Sequence, residues 1–184
     1  MKEGPSYEKM FELQRKADQL LRENWLENVL FTYRWWIALA LAVVPWLLWW
    51  KMVDRQRLFE IMTYGFMVMV VSMVFDAVGV EFDLWEYKYR LVPLLDVFIE
   101  YDIAVMPVAY MLVYQYFNNW KSFVVVNVIL AAVFAFVAEP LQVWMGYYVL
   151  INWEYIYSFP IYLVIAVGLR WVMIKLKLAA NKAV

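Results

Sequence analysis

Cysteine and histidine are absent, and glycine is scarce at five residues in 184. The first two absences exclude disulfides, thiolate nucleophiles, His-ligated haem and the common zinc sites. Any metal would have to be held by oxygen, which suits hard cations. No G-x-G-x-x-G, G-x-x-x-x-G-K-[ST] or G-x-S-x-G occurs, so phosphate loops and nucleophile elbows are excluded with the nucleotide and hydrolase chemistry they serve. No cofactor is expected, and no nucleic acid. No lysine lies inside an apolar stretch, so a retinal-type Schiff base has no partner. The opening MKEGPSYEKMFELQRKADQLLRENW is charged throughout, and without an apolar core it does not read as a secretory signal.

What the chain has in excess is apolar and aromatic surface. Hydrophobic residues make up 66% and aromatics 20%, against about 45–50% apolar in soluble domains. Five apolar stretches stand out: Trp35–Trp50, Ile61–Val80, Leu91–Phe117, Phe123–Ala138 and Tyr155–Ile174. A helix needs about 20 apolar residues to cross a bilayer, and flanking Trp, Tyr, Lys and Arg extend the shorter stretches to the interface. None of the five has a polar face, so a soluble helical bundle does not fit. The expected fold is all-α, a polytopic membrane bundle of five transmembrane helices. Residues 1–34 form an N-terminal amphipathic helix region, 35–178 the five-helix domain and 179–184 a basic tail. Met10, Leu13, Ala17, Leu20 and Leu21 share one side of the first helix, which Glu12/Lys16 and Asp18/Arg22 support as i,i+4 pairs. The stretch 140–151 is too apolar for an ordinary loop and too short to cross, which predicts an interfacial or re-entrant segment. Glu139-Pro140 itself reads as a helix stop.

Charge is segregated by end. The end holding residues 51–60, Lys121, Arg170, Lys175, Lys177 and Lys182 has eight basic and two acidic residues; the end holding Asp76 through Asp102, Glu139 and Glu154 has nine acidic residues and only Lys88 and Arg90 as bases. The positive-inside rule assigns the basic end, and with it the C-terminus, to the cytoplasm of a cell membrane. Arg170 is expected to reach the basic interface rather than the acids. The N-terminal segment would then start outside.

The acidic end repeats one phrase, 84-LWEYKYR-90 and 152-NWEYIYS-158. Each copy follows an acid near the end of the preceding stretch, Asp76 or Glu139. Trp and Tyr belong at membrane interfaces, so Trp85, Tyr87, Trp153 and Tyr155 are expected to anchor the helices there. A duplicated helix pair that builds one site at its junction is the alternative.

The densest chemistry lies in 96-DVFIEYDIAVMPVAYMLVYQY-116. Asp96 and Glu100 share a helical face that continues through Ile103, Pro107, Tyr110 and Tyr114, whereas Asp102 points nearly opposite to Glu100. Pro107 should kink the helix or free a carbonyl. Carboxylates in hydrocarbon are costly, about 2.5–3.5 kcal/mol each on insertion scales. The candidate site is therefore an acidic, Tyr-rich vestibule of Glu100, Asp96, Asp76, Glu139, Tyr110 and Tyr114. Carboxylates and tyrosines with no basic partner attract cations: Ca²⁺ in an oxygen cage, protons, or an organic amine held by cation–π contact.

The series FDAVGVEFDLWEY, IEYDIAVMP, FAFVAEP and NWEYIYSFPIY resembles a family of small multipass membrane proteins from spore-forming bacteria. That resemblance covers about Trp35 to Trp171 and implies a five-helix fold in a bacterial inner membrane, without implying any catalytic residue. A fainter likeness to membrane lycopene cyclase domains lacks their paired Pro-x-Glu-Glu. The leading expectation is a cation- or proton-binding membrane protein for transport, conduction or sensing. A structural subunit holding a membrane partner or a second copy of the chain is the alternative. A membrane enzyme acting on an isoprenoid or other lipid through a carboxyl acid comes third. The lipid bilayer is a partner in each.

Overall fold

The structure, a computed structural model, describes residues 6–93 and 97–182, so Asp96 lies outside the described residues. The described residues form seven α-helices and one two-stranded antiparallel sheet: α1 Tyr7–Asn28, α2 Tyr33–Met52, α3 Leu58–Glu81, β1 Trp85–Tyr87, α4 Met106–Tyr116, α5 Trp120–Val133, α6 Glu139–Met145, β2 Tyr148–Leu150 and α7 Tyr155–Lys182. Glu100–Val105 leads into α4 as a π-helical turn, and Phe134–Ala138 joins α5 to α6 in the same way. Four helices are long and apolar enough to cross a membrane: Tyr33–Met52, Arg55–Glu81, Trp120–Met145 and Tyr155–Lys182.

Local chemistry sets the boundaries. The hydroxyl of Ser6 accepts from the Lys9 N–H and that of Thr32 from the Trp35 N–H, capping α1 and α2. Asn119 caps α5 by accepting from the Lys121 N–H at 2.8 Å. Gly146 ends α6 in the left-handed region, with φ of 81°, and turns the chain into β2. The stretch 140–151 is thus a helix end, a glycine turn and a strand rather than one re-entrant piece. Glu139-Pro140 does not stop the helix, because the π turn before it widens the backbone. Proline lacks an N–H and clashes with the carbonyl four residues back, and a wider turn relieves both. Pro107 follows the other π turn, and the carbonyl it frees is used: Trp46 Nε1 donates to the Ile103 oxygen at 3.1 Å.

α3 and the segment Glu100–Tyr116 run antiparallel along one another. At one end Asp102 meets Asp76, and at the other Tyr114 donates to Glu60, both acids belonging to α3. α2 packs on the π turn, and α7 packs on α3 and α5. The core along this seam includes Trp49, Ile61, Tyr64, Met106, Tyr110 and Phe123, all fully buried. α1 buries no residue, and its whole apolar side stands exposed. It is tied to the bundle near its end, where Trp25 Nε1 donates to the Arg90 carbonyl. α7 runs on into the basic tail expected over 179–184, as far as Lys182.

Candidate functional site

The two-stranded sheet was not foreseen, and it shapes the site. β1 and β2 pair antiparallel, with Trp85 opposite Leu150, Glu86 opposite Val149 and Tyr87 opposite Tyr148. Alternation along β1 sends Trp85 and Tyr87 to one side and Glu86 to the other. Both inward residues find the same acceptor. Trp85 Nε1 donates to Asp76 Oδ1 at 2.9 Å, and the Tyr87 hydroxyl donates to that oxygen as well. The Phe98 N–H donates to Asp76 Oδ2 at 2.7 Å. Trp85 and Tyr87, expected as belt anchors, therefore point their polar atoms into the protein. The Trp85 indole lies against Gly79, where any Cβ would collide with it. Tyr87 is buried and stacked between Phe98 and Tyr148, at ring distances of 4.8 and 5.4 Å. That burial, followed by the Asp76 carboxyl beside it, holds the Tyr87 hydroxyl well above its ordinary pKa, so it stays a donor.

The second Trp-Glu-Tyr copy does the same for Glu139 through one relay. Trp153 Nε1 donates to Ser158 Oγ at 2.9 Å, and that hydroxyl donates to Glu139 Oε2 at 3.1 Å. Tyr162, one helical turn beyond Ser158, donates to Glu139 Oε1 at 2.6 Å. Trp85 and Trp153 meet edge to face, with ring centroids 5.0 Å apart. Tyr155, the last residue of the second copy, stays half-buried at the start of α7.

These groups surround a cavity of about 240 Å³ between α3, the first π turn, α6 and α7, lined at one end by the β1–β2 sheet. Asp76, Asp102 and Glu139 line it together with Trp85, Trp153 and Tyr148, and among the described residues no Lys or Arg does. Asp102 is the residue that sequence reasoning set aside. Its carboxyl stands in hydrogen-bonding contact with that of Asp76, and among the described residues no N–H or hydroxyl donates to its buried Oδ2. An ionised carboxylate only accepts, so contact between two carboxyls needs a proton between them. The cavity can therefore hold a proton, and its acids and aromatic walls suit a cation. Burial, with Glu139 next in effect, also raises the pKa of Tyr148.

The other expected residues go elsewhere. Glu100 and Asp102 line different cavities, and it is Asp102 that meets Asp76, in the cavity that Glu139 also lines. Glu100, only 1% exposed, lines a separate cavity beyond Phe98 and Tyr101. Tyr110 donates to the Tyr162 carbonyl at 2.8 Å. Tyr114 sits at the far end of α3 with Glu60, Arg57 and Lys177, so it is no part of the vestibule. Arg170 reaches the loop carbonyls of Phe117 and Asn118 at that far end, as expected of an arginine kept away from the acids. No group of three His, Cys, Asp or Glu able to hold a metal ion occurs among the described residues, so the Ca²⁺ cage is not assembled there. Ser158, Tyr162 and Tyr148 escaped notice in the sequence, although Ser158 and Tyr162 stand four apart on one helix face, behind a Trp-Glu-Tyr. Compared with known protein families, curated proteins and solved structures, the chain matches none.

Proposed function

We propose that the protein is an integral membrane protein that binds a cation in the Asp76–Asp102–Glu139 cavity, with an organic ammonium group as ligand and a proton as its competitor. The observation that carries this reading is the buried Asp76–Asp102 carboxyl pair, in an aromatic cavity whose described lining has acids and no base. A buried carboxylate without a base nearby is costly, and an incoming cation offsets that cost. Aromatic faces add cation–π attraction and favour an organic cation over a hydrated metal ion. In this reading Glu100–Tyr116 is a fifth crossing, supported by its course along α3 from Asp76 to Glu60. The acidic end that carries the β1–β2 sheet then faces away from the cytoplasm, as the bias of Lys and Arg toward the other end supports.

Binding of benzylammonium tests this directly. It should raise the melting temperature of the purified protein and leave that of Asp102→Asn unmoved. An equal shift in both proteins rules the cavity out. A second reading, a partner-holding membrane subunit, draws support from α1, whose apolar side is left exposed among the described residues. Deleting α1 should then abolish a co-purifying complex while leaving benzylammonium binding intact.

A further inference from the structure

Glu100 is buried, and the vestibule does not use it. Among the described residues, neither of its carboxyl oxygens has a hydrogen-bond partner from another residue; only its own backbone N–H stands near. An acid placed this way loses its hydration and gains nothing from the protein in return. It lines a cavity of about 230 Å³, distinct from the first but sharing Phe98, Tyr101 and Gln142 as a common wall. The Tyr101 hydroxyl in that wall is also unpartnered.

Three features define what would fit. First, exposed Ile37 and Leu41 of α2 and exposed Val133 and Leu141 of the α5–α6 rod belong to the cavity lining, so its mouth opens sideways between these helices. In a bilayer that mouth meets hydrocarbon, and a ligand arriving there carries an apolar chain. Second, Glu100 is the only charged group in the described lining; Arg34, whose Nε donates to the Met145 carbonyl at 3.1 Å, is not part of that lining. A positive head is the complement. Third, the remaining walls are apolar or aromatic, with Phe98, Phe134 and Tyr147 presenting rings and no second acid present to cage a metal ion. Rings and one carboxylate favour an ammonium over a divalent cation.

We propose that this second cavity binds the head of a single-chain alkylammonium amphiphile, with Glu100 as its counter-ion and the chain leaving between α2 and the α5–α6 rod. The site rests on the bundle being in a membrane but not on cation binding in the first cavity.

The test uses the full chain purified in micelles, decylammonium as probe and decanol as uncharged control, with bound copies counted by native mass spectrometry. Wild type should hold two decylammonium ions, one per carboxyl cavity, and no decanol at the same concentration. Glu100→Gln should hold one and Asp102→Asn should hold one. Ala138→Leu narrows the second cavity without altering charge and should also lose one copy, which covers the case where Glu100→Gln folds poorly. Two copies retained in both Glu100→Gln and Ala138→Leu overturn the second site. If wild type holds a single copy, its loss in Glu100→Gln but not in Asp102→Asn upholds the second site and rejects the first. The reverse pattern rejects the second site alone. No bound copy at all, or decanol binding equally, rejects it too.

Discussion

Helix α3 carries an acid near each end, and the two are treated in opposite ways. Glu60 is met by bases: Arg57 at 2.9 Å and Lys177 at 2.6 Å, with the Tyr114 hydroxyl at 2.7 Å. Asp76, four turns on, is met by an indole, a phenol, a backbone N–H and another carboxyl. Glu60 is neutralised within the chain and needs nothing further. Asp76 and Asp102 are held rigidly but not neutralised, so any balancing charge has to come from outside as a proton or a cation. The contrast separates a structural ion pair from the proposed binding site by what surrounds the carboxyl, not by the carboxyl itself.

Substitutions should break this contrast unequally. The largest effect belongs to Asp76→Ala, which orphans three buried donors and should cost about 3 kcal/mol or more, read as a fall in melting temperature in micelles. Asp76→Asn should cost much less, because its carboxamide oxygen still accepts. Next comes Gly79→Ala, whose methyl must displace the Trp85 ring; overpacking of this kind costs about 1–3 kcal/mol, and the displaced indole should release Asp76. The two Trp-Glu-Tyr copies can then be set against each other. Trp85→Phe removes a bond to a carboxyl, worth about 1.5–3 kcal/mol if that carboxyl is charged, whereas Trp153→Phe removes one to a serine, worth about 0.5–1.5 kcal/mol. At the other end of α3, Glu60→Gln should cost about 1 kcal/mol or less, fading with added salt, since its partners are partly exposed.

The smallest effect is alkaline. Burial, with Glu100 next in effect, pushes the Tyr147 hydroxyl up to about 12, where it donates to the Arg34 carbonyl. An unfolded tyrosine titrates near pH 10, so the folded chain holds the proton longer. The stability this adds is present below pH 10 and is lost as pH rises toward 12. Melting temperatures recorded from pH 9 to 12 should fall, and the slope should be shallower in Tyr147→Phe.

The helices were legible because membrane-length apolar stretches announce themselves by composition. Four of the five expected stretches recur as helices long enough to cross. The third was read too long: helix begins only near Glu100, and Pro107 is absorbed by a π turn that α-helical periodicity does not anticipate. That periodicity set Asp102 opposite Glu100, and the two line different cavities. Which of the two faces met Asp76 depended on how α3 packs, and sequence spacing carries no information on that. The paired Trp-Glu-Tyr copies were visible, yet their belt composition gave no hint that Trp85 and Tyr87 turn inward, since a three-residue strand has no periodic signature of its own. Asp76 and Glu139 were legible as acids preceding those copies. The donors holding Glu139, Ser158 and Tyr162, come from α7 and needed the fold.

The β1–β2 end of α3 is proposed to bind a cation, and the Glu60 end is not. That difference is tested most directly by calorimetric titration of benzylammonium into wild type, Asp102→Asn and Glu60→Gln. Binding to wild type and Glu60→Gln with equal affinity, and at least on the order of tenfold weaker binding to Asp102→Asn, is the predicted result. Unchanged binding in Asp102→Asn, or a loss as large in Glu60→Gln, would contradict it.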